Sequence, residues 1–164
     1  MKRSTLINVA YAHYSYLNTM LCRLLDFLPP LLRKFAFKLL LKEYGAGSFI
    51  DYGFKFRYGK KISIGRHVSI STNCELYPGF LAKESSIRIG DGVTIGPGVI
   101  MVGAGHDPKT MSDVGGPISL EPGVYVGART LIRYGVTVGE NSTIAAHSVL
   151  TKSVDPNMVF IQKK

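Results

Sequence analysis

The stretch ISLEPGVYVGARTLIRYGVTVGENSTIAAHSVL, residues 118–150, carries an aliphatic residue at every sixth position without a slip. These aliphatic residues are Leu120, Val126, Ile132, Val138, Ile144 and Leu150. A second series lies two positions earlier and contains small or β-branched residues: Ile118, Val124, Thr130, Val136, Ser142 and Ser148. Two inward-facing residues spaced by two are typical of a strand, and the glycine or polar pair that follows is typical of a turn. The stretch therefore predicts short strands joined by tight turns.

The same six-residue register occurs earlier in the chain. It is carried by Ile64, Ile70 and Leu76, and again by Ile89, Ile95 and Met101. A unit of six residues cannot bury its own apolar face, so successive units must stack on each other as a parallel β-helix. A β-sandwich would instead show turns at wider intervals, of roughly 8–12 residues. We therefore predict a mainly β chain, with a β-helix domain over residues 49–164.

Residues 1–48 have a different period and are predicted to form a helical segment. Pro29 and Pro30 divide it into two helices, and the second has polar residues at positions 33, 34, 38 and 42, which gather on one helix face. Two interpretations stay open. The helices pack their apolar faces on the rest of the protein or on a partner subunit, or the second helix lies as a basic amphipathic helix on the inner membrane leaflet.

Charge and composition narrow the function classes. The net charge is +9, and residues 1–48 contribute seven basic and two acidic residues to it. This asymmetry suits an anionic surface or ligand. Nucleic acid is not an expected partner, since none of its recognition motifs is present and the aromatic residues do not interleave with the basic ones. Without a convincing secretory signal or an apolar run long enough to span a bilayer, the expected location is cytoplasmic, and peripheral contact with the inner membrane stays an open alternative.

Two segments resemble a known family. VTIGPGV (93–99) and VTVGENSTIAAHSVLTKSV (136–154) are similar to the repeats of the hexapeptide-repeat acyltransferases. The resemblance covers about residues 50 to 158. It implies a left-handed parallel β-helix with three hexapeptides per coil, assembled as a homotrimer, and acetyl-CoA as the acyl donor. The N-terminal segment ending in RKFAFKLLLKEYGAG (33–47) further resembles the enzymes that O-acetylate bacterial surface polysaccharides such as colanic acid and capsule.

The repeat is interrupted by residues 102–117, and this loop contains the candidate catalytic residue. His106 is the one residue of the loop whose side chain ordinarily titrates near neutral pH. Moving an acetyl group from a thioester to an alcohol requires a base that accepts the hydroxyl proton, and neutral imidazole suits that task. In the family a loop histidine in an HP or HDP context is this base, so the resemblance implies that role for His106 in GHDP.

The resemblance also implies binding residues. Small residues at the coil corners would line the acetyl-CoA groove between subunits, with a Thr-Lys pair toward the nucleotide end; these are Gly127, Ala128, Ala145, Ala146, Thr151 and Lys152. Small residues also simply fit tight corners, and both demands can apply at once. Asn73 matches an acceptor-binding asparagine one coil before the histidine. Asp107 either starts a turn before Pro108 or contacts the acceptor.

The leading hypothesis is an acetyl-CoA-dependent O-acetyltransferase that modifies a sugar hydroxyl of a surface polysaccharide or its precursor. A smaller acceptor, such as an amino sugar, an oligosaccharide or serine, is an alternative within the same chemistry. A γ-carbonic-anhydrase-like protein requires three His ligands, two of them close together, whereas the four histidines lie at positions 13, 67, 106 and 147. No metal is therefore expected. A non-catalytic scaffold is the remaining alternative, and the retained GHDP and TK motifs argue against it.

Overall fold

The computed structural model describes residues 2–80 and 84–162, with side chains from residue 9 onward. Three parallel sheets form the walls of the β-helix. Sheet 1 contains β1 (Glu43–Tyr44), β4 (Ile62–Ile64), β7 (Ile87–Ile89), β12 (Ile118–Leu120) and β15 (Thr137–Val138). Sheet 2 contains β2 (Phe49–Ile50), β5 (Ser69–Ile70), β8 (Thr94–Ile95), β13 (Tyr125–Val126), β16 (Thr143–Ile144) and β18 (Val159–Phe160). Sheet 3 contains β3 (Lys55–Phe56), β6 (Glu75–Tyr77), β9 (Ile100–Val102), β14 (Leu131–Arg133) and β17 (Val149–Leu150).

The chain visits sheets 1, 2 and 3 in turn, and each strand pairs in parallel with the strand one coil later. In the last full coils Ser119 pairs with Thr137, which is 18 positions later, or three hexapeptides. Tyr125 pairs with Thr143 at the same separation. The predicted left-handed parallel β-helix, preceded by a helical segment, is confirmed.

The interior is built from the two predicted inward series. Each of their aliphatic members is essentially inaccessible to solvent. Burial of such a side chain stabilises the fold by roughly 1.5–3 kcal/mol. The polar members are buried too, and their hydroxyls bond to corner carbonyls. Thr130 donates to the Gly127 carbonyl at 2.8 Å and Ser148 to the Ala145 carbonyl at 2.7 Å. Because these polar groups are satisfied, they close the turns without leaving unpaired atoms inside.

Extra residues enter the coils at one edge, where sheet 3 passes to sheet 1. Glu43 pairs with Ser63, Ile62 with Ile87, and Ile87 with Ile118, at sequence separations of 20, 25 and 31. The regular coil has a separation of 18, so the three passages are longer by 2, 7 and 13 positions. The first contains a short 3₁₀ helix, Gly59–Lys61, and the last contains the segment around His106.

The N-terminal segment forms α1 (Lys2–Phe27) and α2 (Pro30–Leu40). The β-ladder begins at Glu43, before the expected boundary at residue 49, because β1 pairs with β4. Tyr44 lies in register with Ile64 and is half-buried below α2, so an aromatic residue takes the place of the aliphatic one that the period requires. Among the described helices, none is long and apolar enough to cross a membrane.

One sequence expectation for α2 is wrong. Arg33 was expected on an exposed polar face with residues 34, 38 and 42, but it is 3% exposed and points into the molecule. Its guanidinium donates to the carbonyls of Ile50 and Asp51 at 2.6 and 2.8 Å and pairs with Asp26 at 3.0 Å. It also lies over the ring of Tyr52, 4.4 Å from the ring centroid. Planar guanidinium satisfies several acceptors at once, which is why this cation is tolerated inside.

Candidate active site

The interruption is a β-hairpin, where the sequence indicated a loop. Its strands are β10 (Ala104–His106) and β11 (Asp113–Gly115), which run antiparallel outside the three walls. The amide of Asp107 donates to the Ser112 carbonyl at 3.0 Å and closes the turn. His106 is thus the last residue of a paired strand, so a backbone ladder rather than a free loop fixes its position.

The cross-strand partner of His106 is Asp113. Its Oδ1 lies 3.1 Å from His106 Nδ1. Because Nδ1 faces this carboxylate, Nε2 is the ring nitrogen that we consider for proton transfer. The imidazole is 64% exposed, so an incoming molecule can reach it. A base held by a carboxylate on one ring nitrogen and open at the other can accept a proton and have the resulting charge stabilised.

Sequence reasoning missed Asp113. It lies seven positions after His106, and the two become neighbours only when the turn pairs β10 with β11. The usable signal was the turn itself, since an Asp-Pro pair followed by a short polar run is typical of a reversal.

Asp107 serves that turn. Its Oδ1 accepts hydrogen bonds from the amides of Lys109 at 2.7 Å and Thr110 at 3.1 Å. These two amides lower the pKa of the Asp107 carboxyl, because they stabilise its charged form. Two roles were considered for Asp107, the turn and contact with the acceptor. The contacts that it makes in the structure are those of the turn.

The hairpin base is held by neighbours on both sides along the helix axis. Below it, the buried hydroxyl of Ser85 accepts from the Gly79 amide at 2.6 Å and donates to the Gly103 carbonyl at 2.9 Å. Above it, the ring of Tyr134 approaches Gly105 so closely that a β-carbon there would be 3.3 Å from the ring. The hairpin is consequently anchored between the coils before and after it.

The expected binding residues divide between two edges of the β-helix. Gly127, Ala128, Ala145 and Ala146 stack on one another at the edge between sheets 2 and 3, following β13 and β16. Asn73 lies exposed at the same edge in an earlier coil, with a left-handed backbone (φ 58°). His106 and its hairpin lie at the edge between sheets 3 and 1. Thr151 and Lys152, both exposed, follow β17 at that second edge.

Two cavities of about 220 Å³ lie elsewhere. One is between α1 and sheet 3, near Cys22 and Tyr77, and the other is between α2 and the first coil, near Phe37 and Tyr52. Neither is lined by His106. The side chain of His106 itself is 64% exposed, at the edge between sheets 3 and 1.

Metal and thiol chemistry find no support in the geometry. Across residues 2–80 and 84–162, no three His, Cys, Asp or Glu side chains converge as a metal site would require. His67 and His147 occupy exposed left-handed corner positions at different edges, and His13 lies on α1. Both cysteines are buried, and burial raises the pKa of each thiol. A raised pKa disfavours the nucleophilic thiolate.

Comparison with known proteins agrees with this architecture. The family description "Bacterial transferase hexapeptide (six repeats)" matches residues 117–152, which cover the fourth and fifth coils. The chain is 30% identical over 132 residues to galactoside O-acetyltransferase of Escherichia coli K12, a match that covers 77% of this chain and 63% of that protein. The chain resembles the hexapeptide-repeat transferases, through residues 117–152 and through this relative.

Two further proteins are similar to the chain. Nodulation protein L of Rhizobium meliloti is 35% identical over 121 residues, 71% of this chain and 63% of that protein. A hexapeptide-repeat-containing acetyltransferase of Vibrio cholerae, solved in complex with acetyl coenzyme A, superimposes with a TM-score of 0.79 at 27% identity over 90% of this chain and 81% of that one. The chain spans just under two thirds of the length of the curated relatives described here.

Proposed function

We propose that this protein is an acetyl-CoA-dependent O-acetyltransferase whose acceptor is a sugar hydroxyl. The observation that carries the proposal is the His106–Asp113 pair, 3.1 Å apart on a hairpin that interrupts an otherwise uniform wall. The names of the similar proteins support the reaction class, because they include a galactoside O-acetyltransferase and an acetyltransferase solved with acetyl-CoA.

The residues present can perform the proton chemistry of this reaction. Nε2 of His106 accepts the acceptor's hydroxyl proton as the oxygen attacks the acetyl carbonyl, and Asp113 stabilises the imidazolium that forms. The C–O bond to the acetyl group forms and the thioester C–S bond breaks. The proton on His106 is then available to the departing thiolate, which leaves as free thiol. Such a base contributes typically about 10²–10⁴-fold to the rate.

The small-residue edge fits the acetyl donor. Ala128 and Ala146 present only methyl groups there, so a slender pantetheine chain can lie against the wall, and Lys152 offers a cation for phosphate. Acetyl-CoA supplies the thioester, and the residues just named would orient the acetyl-CoA molecule. In one chain the small residues and His106 lie at different edges, and Lys152 lies at the His106 edge. We therefore propose a homotrimer in which the His106 edge of one subunit faces the small-residue edge of the next.

The proposed trimer has three times the 18.0 kDa mass of one chain. Light scattering on the purified protein measures this directly. Mixing inactive His106→Ala chains with inactive chains altered at the small-residue edge should restore part of the activity, since some interfaces then carry both intact edges. A fully active monomer would remove the shared site.

The acceptor we propose is a surface polysaccharide or its precursor. The supporting observations are that one relative is named a galactoside O-acetyltransferase and that the N-terminal helices resemble those of the polysaccharide-modifying branch. Thiol release from acetyl-CoA should be compared across galactosides, oligosaccharides, nucleotide sugars, amino sugars and serine. Turnover confined to serine or to an amino group would overturn the sugar-hydroxyl assignment.

The base assignment is tested with His106→Ala and His106→Asn at saturating acetyl-CoA. Both should lower kcat by roughly 10²–10⁴-fold with little change in acetyl-CoA binding, because other residues form the groove. His67→Asn, at an exposed corner far from the hairpin, is the matched control and should keep its activity. A raised acceptor KM with normal kcat in His106→Asn would mean that the hairpin only shapes the acceptor site.

A further inference from the structure

Helix α2 has two apolar faces, of which the β-helix uses one. Phe37 is buried against the first coil and Arg33 anchors the same face. On the opposite side, Leu31, Phe35 and Leu39 are 74, 63 and 76% exposed. Their spacing of four residues aligns them in one row along the helix. A surface helix of a soluble domain normally turns such a row toward its core, so this row indicates a second contact.

Further apolar side chains close to that row in the sequence are also exposed. Leu32 is 56% exposed, and at the end of α1 Leu24 and Phe27 are 59 and 86% exposed. We define the outer helical face by these six apolar side chains of residues 24–39: Leu24, Phe27, Leu31, Leu32, Phe35 and Leu39. An exposed set of this size is typical of an interaction or membrane surface.

Cations border the outer helical face. Lys34 and Lys38 form a row of their own beside Leu31 and Phe35, because they too are four positions apart. Arg23 and Lys42 are exposed near its two ends. The carboxylates of residues 20–43 are Asp26 and Glu43, and Asp26 is already paired with Arg33. The border is therefore strongly positive.

This charge pattern favours an anionic lipid surface over a second copy of the chain as the partner of the outer helical face. A second copy of the chain would bring the same lysine row against itself, with too few carboxylates to pair. An anionic lipid surface provides a partner for both the lysines and the apolar side chains. Its phosphates contact the lysines, and its acyl chains contact the leucines and Phe35.

We propose that the outer helical face docks the protein on anionic phospholipid membranes. In this arrangement α2 lies parallel to the surface, its apolar row enters the boundary between headgroups and acyl chains, and Lys34 and Lys38 contact lipid phosphates. The Arg33 contacts to Ile50 and Asp51 hold α2 on the first coil, so the β-helix is carried with it. The proposal is independent of the acetyl-transfer reaction, and vesicle binding tests it without any turnover.

The test is flotation of the full chain with vesicles of phosphatidylcholine alone or of phosphatidylcholine mixed with phosphatidylglycerol. Binding to the mixed vesicles should be strong and should weaken with salt. Lys34→Gln with Lys38→Gln should weaken it by about tenfold or more, since each lysine near such a surface contributes on the order of fivefold. Phe35→Gln with Leu39→Gln should weaken it comparably although every charge is kept. Arg66→Gln with Arg88→Gln, which removes the same charge from the β-helix wall, should leave binding largely unchanged.

Thermal melts first establish that each variant is folded, which the exposure of these side chains favours. Equal binding to neutral and anionic vesicles would overturn the proposal. So would unchanged binding of the Phe35/Leu39 variant, which would reduce the effect to adsorption of a basic protein. Loss of a larger oligomer in that variant, without loss of vesicle binding, would make the face a contact between copies.

Discussion

At the scale of single residues, the contact between His106 and Asp113 has the clearest chemical consequence. A neutral imidazole must present one particular nitrogen to the acceptor, and a carboxylate on the other nitrogen selects both the tautomer and the ring orientation. The pair is substantially exposed, with Asp113 at 43%, so solvent screens part of its electrostatic effect. In the proposed mechanism Asp113 is a positioning residue, since it acts through His106.

Asp113→Asn should lower kcat by about tenfold or more while the KM for acetyl-CoA stays near its normal value. The amide keeps the size of the side chain but supplies no charge to stabilise the imidazolium. Steady-state kinetics on both substrates measures the split between kcat and KM. Asp91→Asn, which removes an exposed carboxylate at another edge, is the control and should be neutral. Equal kcat in the Asp113 variant and the unmodified protein would remove Asp113 from the mechanism.

At the scale of elements, the stacking of corners limits what each corner can contain. A β-carbon on Gly127 would collide with the backbone of the next coil, where the Ala145 carbonyl carbon and the Ala146 Cα would both be 2.8 Å away. The absence of a side chain at Gly127 is therefore already required by packing. The proposed role at the acetyl-CoA groove would add to that requirement.

Gly127→Ala should lower the melting temperature by roughly 2–12 °C, because overpacking costs about 1–3 kcal/mol and a chain of this size loses about 2–4 °C per kcal/mol. Gly116→Ala is the matched control, since the nearest atom to its added β-carbon is 3.4 Å away, an ordinary contact. Differential scanning calorimetry on both variants makes the comparison. A stable Gly127→Ala protein would show that the two coils can separate at this corner.

Features that depend on residues close together in the sequence could be predicted, and features that depend on residues far apart in the sequence could not. The inward positions followed from the six-residue period, down to buried Ser142 and Ser148, because each unit repeats the environment of the last. The inward turn of Arg33 depends on carbonyls of Ile50 and Asp51, 17 and 18 positions away, which no helical pattern reveals. His106 was identifiable from its motif, but Asp113 required knowledge of the hairpin.

At the scale of the whole molecule, the two cysteines lie in different parts of the fold, so their reactivity can show whether these parts unfold together. Cys22 of α1 lies against the Phe56 carbonyl of the first coil, whereas Cys74 faces inward between stacked coils and donates to the Gly96 carbonyl at 3.2 Å. Helix α1 contacts the β-helix through its first coil, so it can separate at a lower free-energy cost than the coils themselves.

Native protein at neutral pH should therefore resist iodoacetamide at both thiols. In increasing denaturant Cys22 should react first, and Cys74 should react only with loss of the β-helix. Mass spectrometry of alkylated peptides gives the denaturant concentration at which each cysteine is half alkylated. Circular dichroism gives the denaturant concentration at which half of the protein is unfolded. Simultaneous reaction of the two thiols would mean that the helices and the coils unfold as one cooperative unit.

The three insertions share one edge of the β-helix, and this has a consequence for how such a protein can change over time. Passages that are longer by 2, 7 and 13 positions leave the ladder intact, because every strand after them resumes its place above its counterpart. That edge is therefore free to vary in length and composition, while the other two edges are held to a constant pitch by their stacked corners. The hairpin that carries His106 can therefore change in length and sequence at this edge without altering the packing of the walls, so one rigid scaffold can present different surface chemistry there.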